Sequence, residues 1–139
     1  MGRILAVDDE LDMLSLLKMM VEGYTDHQVV VTNNPLEAKD LLQKERFDLV
    51  LTDLKMPGMD GMELLEFARR QDPDLLVLVI TAFGSLETAE EAMAKGAFDY
   101  ITKPFRKEQL LLAIDKAMRW RELVEQNKAL RRQLEGGTP

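Results

Sequence analysis

The sequence contains no cysteine and only one histidine and one tryptophan among its 139 residues. Without cysteine the chain can form no disulfide, no thiolate zinc site and no cysteine nucleophile. The lone His27 cannot build a metal site made of several histidines. No apolar run reaches the roughly 18 residues of a membrane-spanning helix, and Asp8 and Asp9 interrupt the N-terminus too early for a secretory signal. These absences predict a cytoplasmic protein, not bound to a membrane, whose chemistry depends on carboxylates, hydroxyls and lysines.

Acidic residues are in excess, with 25 Asp and Glu against 18 Lys and Arg and a net charge of −7. The excess lies in the first 115 residues, while basic residues predominate after residue 116. A globular part of this sign repels phosphates, so we expect no direct binding of nucleic acid. Hydrophobic residues make up 46% of the chain, which is typical of one globular domain at this length.

Apolar runs alternate with amphipathic stretches along the first 115 residues. Three of the runs are apolar throughout, as in Ile4-Leu5-Ala6-Val7, which is typical of parallel strands buried on both faces. Strand followed by helix, five times over, predicts an α/β fold with a doubly wound, five-stranded parallel sheet. The predicted strands are residues 3–7, 28–31, 48–52, 75–81 and 99–102. The fourth helix is expected to turn Leu86, Ala89 and Met93 toward the core.

The last helical pattern extends from about Lys107 to Leu134 without proline or glycine, a length of ~42 Å. Its first half can pack on the sheet through Leu110 and Ile114. The second half carries an apolar seam at roughly heptad spacing, and two partial heptads favour a coiled coil only weakly. The seam residues are Trp120, Leu123, Asn127, Leu130 and Leu134.

Polar side chains follow several of the predicted strands. Asp8 and Asp9 end the first strand, Asp53 the third and Thr81 the fourth, and Lys103 follows the fifth. Each has an ordinary interpretation taken alone, such as a helix cap for Asp8 or Asp9 or a turn residue for Asp53. The carboxyl ends of parallel strands meet at one edge of the sheet, however, and carboxylates gathered there repel one another unless a cation neutralises them. Because carboxylate oxygens are the ligands that hard cations prefer, Mg²⁺ is the expected ion at this edge.

These residues occur in short motifs: Val7-Asp8-Asp9-Glu10, Asp53-Leu54-Lys55-Met56-Pro57-Gly58-Met59-Asp60-Gly61, Thr81-Ala82 and Lys103-Pro104-Phe105. Together they resemble the receiver domain of two-component response regulators over roughly residues 3–118. Within that family the chain is most similar to receivers of nitrogen-regulator-type transcriptional activators. Thr81-Ala82-Phe83-Gly84-Ser85 and the long last helix carry this narrower resemblance.

The resemblance implies a flavodoxin-like fold and a phosphoacceptor rather than an enzyme acting on an external substrate. Asp53 would accept a phosphoryl group from a sensor histidine kinase, and Thr81 and Lys103 would contact its oxygens. Tyr100 would be an aromatic switch. Independently of the resemblance, the bulk of Phe83, two residues beyond Thr81, predicts that it screens the bound group from water. The ligands of Mg²⁺ would be Asp8, Asp9, Asp53 and the backbone carbonyl of Lys55, and Lys103–Pro104 would be a cis peptide.

The implied organisation is a receiver at residues 1–118, a dimerising helical extension at 119–135 and the start of a flexible linker at 136–139. A transcription-activating ATPase module would follow as the effector, with a homodimer formed through the extension. The alternative is a stand-alone receiver that acts by binding other proteins. A phosphatase of the haloacid-dehalogenase type is disfavoured because Lys55 stands where its second aspartate is needed, and a flavodoxin-like cofactor protein because no phosphate loop follows Val7.

Overall fold

Five parallel strands form one sheet in the computed structural model, which describes residues 2–82 and 84–136. The order of strands across the sheet is β2-β1-β3-β6-β7, and all neighbours are parallel. The predicted doubly wound sheet is therefore confirmed, with boundaries shifted by no more than one residue. In chain order the strands are β1 (Arg3–Val7), β2 (Gln28–Thr32), β3 (Leu49–Thr52), β4 (Lys55–Met56), β5 (Met59–Asp60), β6 (Leu76–Thr81) and β7 (Asp99–Thr102).

Helices cover both faces of the sheet and divide the core into two layers. They are α1 (Leu11–Tyr24), α2 (Pro35–Lys44), α3 (Gly61–Gln71), α4 (Leu86–Ala94) and α5 (Lys107–Gly136). Helices α1 and α5 pack on one face and helices α2, α3 and α4 on the other. Alternate residues of each central strand serve the two layers, so Leu5 packs on one side and Ile4 on the other, both fully buried.

Local capping residues set the ends of two helices. The Asn34 side chain accepts a hydrogen bond from the Leu36 N–H at 2.9 Å, and Pro35 occupies the first turn of α2. Helix α4 ends before Gly96, whose φ of +104° needs a residue without Cβ. Both ends are determined locally, because a cap depends on neighbouring residues alone.

The inward face of α4 differs from the prediction. Leu86 and Met93 are 75% and 47% exposed, and Ala92 is the buried residue of this helix. A short helix offers few turns from which to judge its apolar face, and here the small Ala92 allows close packing on the sheet. The larger side chains consequently lie outside the core.

A small antiparallel hairpin, β4 with β5, was not predicted. Lys55 pairs with Asp60 across it, and Gly58 turns it with a φ of +83°. Two-residue strands carry too little pattern to be recognised as strands in a sequence.

Helix α5 has 30 residues, or about 45 Å, and confirms the predicted extended C-terminal helix. Its first half is buried against the sheet through Leu110, Ile114 and Ala117. Beyond this half the apolar seam is exposed. The proposed linker at 136–139 begins at the last residue of the helix, and 137–139 lie outside the described residues.

Candidate functional site

The C-terminal edge of the sheet brings together Asp8, Asp53, Thr81 and Lys103, as their places after the strands predict. Asp8 follows β1, Asp53 follows β3 and Thr81 is the last residue of β6. All three are buried, with exposures of 2%, 4% and 0%. Polar groups buried to this extent must be paired, so the contacts among them define what the site can do.

Lys103 is the cation that pairs these carboxylates. Its Nζ lies 2.7 Å from Asp8 Oδ2 and 3.0 Å from Asp53 Oδ2, and its side chain is only 9% exposed. Burial opposes the charge on Lys103, but the hydrogen bonds to both carboxylates outweigh it and raise the pKa of the lysine. The ammonium therefore stays charged, held between two acids.

One ammonium cannot neutralise two carboxylates, and Asp8 is the acid whose ionised form is disfavoured. Burial raises the pKa of Asp8 despite its hydrogen bonds from Lys103 and from the Glu10 N–H, and the charge of Asp53 adds to the rise. Asp53 has a separate support, because its Oδ1 accepts the Leu54 N–H at 2.6 Å and the Lys55 N–H at 3.3 Å. The site consequently retains negative charge that a second cation would relieve.

Asp8, Asp9 and Glu10 place one carboxylate oxygen each within 4.8 Å of one another. Asp8 is buried, whereas Asp9 and Glu10 face solvent. Neither aspartate caps α1, since the N-cap residue is Glu10 and its side chain makes no capping bond. An all-oxygen donor set with an open side suits Mg²⁺, which keeps several waters. Glu10 was present in the motif but had no predicted role, because its participation depends on how the loop after β1 turns.

The remaining predicted residues lie on the adjoining strands. The Thr81 carbonyl accepts the Lys103 N–H at 2.9 Å, which ties the end of β6 to the loop carrying the lysine. Tyr100 is half-buried on β7, and burial followed by the charge of Asp53 raises its pKa. The Lys103–Pro104 peptide is cis, as the resemblance implies. Phe83 lies outside the described residues.

Gly61 is a positioning glycine for Asp53. A Cβ at this position would overlap the Asp53 carbonyl oxygen and lie 2.5 Å from Leu54 Cα. The Gly61 N–H also donates to the Leu54 carbonyl at 2.7 Å. The hairpin can thus fold directly against the loop behind Asp53, and this close approach explains the glycine.

A shallow cleft of about 690 Å³ opens beside Asp53. Its lining includes Asp9, Glu10, Asp53, Pro57 and Ala82. The cleft leads from solvent to the acid, so a small anionic group carried by a larger donor could reach the carboxylate while Lys103 lies on its other side.

The comparisons with known proteins agree with this arrangement. Residues 4–115 match the response regulator receiver domain, and the chain belongs to that family. The transcriptional regulatory protein ZraR of Klebsiella oxytoca is 37% identical over 88% of the chain, and the response regulator protein PilR of Pseudomonas aeruginosa is 36% identical over 99%. The chain spans 27% and 31% of the lengths of these two relatives.

Solved structures give the same result. A beryllofluoride-activated NtrC4 receiver domain dimer matches with a TM-score of 0.82 and 34% identity over 87% of this chain and 99% of that one. NtrX from Brucella abortus matches with a TM-score of 0.89 and 30% identity over 96% of this chain and 30% of that one. The likeness to nitrogen-regulator-type receivers is thereby confirmed. Among the described residues no helix combines the length and apolarity needed to cross a bilayer.

Proposed function

We propose that this domain is a phosphorylation-controlled switch in which Asp53 accepts a phosphoryl group from a sensor histidine kinase. The observation that carries the proposal is the position of Asp53, buried at the bottom of an open cleft and paired with Lys103 at 3.0 Å. Family membership supports the same role. In the transfer an Asp53 carboxylate oxygen forms a bond to phosphorus as the bond from phosphorus to the kinase imidazole breaks. The electron pair of that bond goes to the ring nitrogen, and because the other ring nitrogen carries a proton, the imidazole leaves as the neutral ring.

The chain's own groups would hold the charge of the reacting centre. Backbone N–H groups of Leu54 and Lys55 fix one oxygen of Asp53, so the other can be directed at the phosphorus. Lys103 Nζ can turn from the carboxylates to an oxygen of the incoming group, with Thr81 on the neighbouring strand as a second contact. Asp8, Asp9, Asp53 and the Lys55 carbonyl would hold Mg²⁺, with Glu10 close by. When bound, the ion would offset the negative charge of acid and phosphoryl group.

Asp53→Asn tests the acceptor directly. Incubation with acetyl phosphate and Mg²⁺ should increase the intact mass of the wild-type chain by one phosphoryl group and leave the Asp53→Asn chain unchanged. Asp60→Asn is a matched control, because Asp60 borders the same cleft but serves as the N-cap of α3. Uptake by Asp53→Asn at the wild-type stoichiometry would refute the assignment.

The metal proposal has its own test. Removing Asp9, which is exposed and makes no ion pair with Lys103, should weaken Mg²⁺ binding without unfolding the site. Calorimetric titration of Asp9→Ala with Mg²⁺ should show a large loss of affinity, and phosphorylation should fall with it. Glu37→Ala, an exposed acid on α2, controls for surface charge. Equal Mg²⁺ affinity in Asp9→Ala would contradict the ligand set.

Phosphorylation would be signalled through Thr81 and Tyr100. The new group adds roughly two negative charges and three acceptor oxygens, to which the Thr81 hydroxyl can move. Tyr100 on β7 could then turn inward behind it, and a packed core makes such a change discrete. Tyr100→Ala should retain phosphoryl uptake while losing the accompanying changes in amide chemical shifts on α4 and β7.

The output would pass through a homodimer formed by the extension of α5. Trp120, Leu123, Leu130 and Leu134 are 53–73% exposed, an apolar seam that a second copy can cover. Exposed Asn127 lies within the seam, where an amide can set the register of two helices. Sedimentation should show a dimer, and the Leu123→Asp/Leu130→Asp variant should be monomeric. A monomer at high concentration with and without beryllofluoride would refute the dimer.

The effector would be a further domain in the same polypeptide. The chain covers under a third of the length of the two curated relatives named above. One is named a transcriptional regulatory protein and the other a response regulator protein. A stand-alone receiver is the alternative, and the match to a CheY-like receiver of Methanospirillum hungatei over 97% of that chain is compatible with it. The exposed extension of α5 favours a receiver followed by an effector domain, because a receiver acting alone does not need such an extension.

A further inference from the structure

The edge of the sheet opposite Asp53 holds a second buried cation, Arg121 of α5, whose side chain is 6% exposed. Its Nε donates to Asp48 Oδ1 at 2.8 Å and its Nη1 to the Asp74 carbonyl at 2.6 Å. Asp48 precedes β3, Asp74 precedes β6, and Asp48 Oδ2 accepts the Arg3 N–H at the start of β1. One guanidinium therefore joins α5 to the beginnings of three adjacent strands.

Apolar contacts could hold the helix here at a lower cost in free energy than this buried ion pair. Arg121 Nη2 is buried without a hydrogen-bond partner among the described residues. An unpaired buried donor costs about 1–3 kcal/mol, and apolar side chains of similar volume often replace a buried ion pair without loss. A guanidinium offers what an apolar contact lacks, a planar fork whose hydrogen bonds have fixed directions.

The residues that share a face with Arg121 extend the contact along α5. Glu125 and Lys128, four and seven positions on, form ion pairs with Arg46 and Asp74. At about 100° per residue the centre of the apolar seam lies roughly 140° around the helix from Arg121. The Trp120 ring still lies 6.5 Å from that of Phe98. Beyond Trp120 the extension presents its charged face to its own domain and its apolar face outward, the reverse of an ordinary surface helix.

We infer that Arg121 is a positioning residue, which clamps the α5 extension to the sheet edge so that its apolar seam faces a second copy of the chain. The inference rests on the proposed dimer. Without the clamp, the turns beyond Ala117 would keep the ring contact of Trp120 with Phe98 and the partly exposed ion pairs of Glu125 and Lys128. Such ion pairs contribute little, and short helical segments with little support are marginal in water. The seam would then lose its fixed direction.

The absence of cysteine allows a direct measurement in the full chain. Cysteines replacing exposed Glu63 on α3 and Gln133 on α5 can carry spin labels, with excess unlabelled chain to suppress distances between subunits. We expect one narrow distance distribution in the parent. Arg121→Gln and Asp48→Ala should each broaden it and accelerate amide exchange over residues 122–128 by at least about tenfold. Arg119→Gln, which removes an exposed pair with Asp115, should do neither.

A second control separates positioning from general stability. Ile114→Val should lower the melting temperature, because it removes one methylene group from the buried part of α5, but it leaves the clamp intact. It should keep the narrow distribution. If Arg121→Gln lowers the melting temperature and keeps the parent's distribution, the clamp is refuted.

The Leu123→Asp/Leu130→Asp background distinguishes failure of the clamp from failure of the dimer. A narrow distribution there that broadens with Arg121→Gln supports the clamp, even if the parent never dimerises. A parent that dimerises but already shows a broad distribution refutes the clamp and leaves the dimer standing.

Discussion

The two edges of the sheet each bury a cation against acidic residues and their backbone, but they use different residues in different ways. At the C-terminal edge Lys103 reaches Asp8 and Asp53 from a loop, through a flexible stem. At the N-terminal edge Arg121 reaches Asp48 and the Asp74 carbonyl from within a helix. An ammonium is a point charge that can change partners, whereas a guanidinium holds its partners in a plane. The difference suggests that one edge is built to rearrange and the other to stay.

The largest expected effect is on phosphoryl uptake. Lys103→Met should slow the modification of Asp53 by acetyl phosphate about 100-fold or more, the usual consequence of removing a donor to developing charge. Arg121→Met, at the far edge, should leave the rate within about twofold. Initial rates followed by intact mass would measure both. A comparable loss in Arg121→Met would show that the edges are not independent.

The next effect concerns stability. Arg121→Met should lower the free energy of unfolding by about 2 kcal/mol, less than for a fully buried pair because the Asp48 side chain is 30% exposed. Arg119→Met, which breaks an exposed pair, should cost less than about 0.5 kcal/mol. Urea unfolding gives both values. Equal losses would show that the burial of Arg121 contributes nothing.

Neutralising one acid at each edge should change stability in opposite directions. The pKa of Asp8 is raised by burial, so the native state holds this proton more tightly than the unfolded chain, and stability falls as pH rises through the folded pKa. Asp8→Asn removes that loss, so without Mg²⁺ at neutral pH it should increase the free energy of unfolding. Asp48→Asn weakens the pair with Arg121 and should therefore destabilise the domain.

Urea unfolding across pH, with chelator present, would measure this contrast. The advantage of Asp8→Asn should vanish at acidic pH, where Asp8 is protonated in both states. Destabilisation by Asp8→Asn at every pH would contradict the interpretation of Asp8 as the acid with uncompensated charge.

The smallest expected effect lies at the margin of the Arg121 contact. Glu125 Oε1 is 3.8 Å from Arg46 Nη2, and the Glu125 and Arg46 side chains are 44% and 76% exposed. Glu125→Gln should change the free energy of unfolding by less than about 0.5 kcal/mol. In about 1 M NaCl even this difference should disappear, because exposed charges are screened over a few ångströms. A salt-resistant effect would indicate that the contact at this edge extends further along α5.

Much of the fold and the candidate site was predictable because the signals were local or depended on topology alone. Continuous apolar runs such as Leu49-Val50-Leu51 mark strands buried on both sides. Strand ends in a parallel sheet meet at one edge, so Asp8, Asp53 and Lys103 could be placed together before any distance was known. Local signals failed where the element is short, as in the two-residue strands at Lys55 and the short helix containing Leu86.

The sequence by itself determined the doubly wound sheet, the gathering of acids at its C-terminal edge and the length of α5. Only the tertiary structure decided which face of the α5 extension beyond Ala117 turns inward. Arg121 reads in sequence as one more charge on a solvated helix, since its partners Asp48 and Asp74 are 73 and 47 residues away. Helical periodicity shows which residues share a face, but the three-dimensional packing of distant loops decides whether the charged face or the apolar one meets the domain.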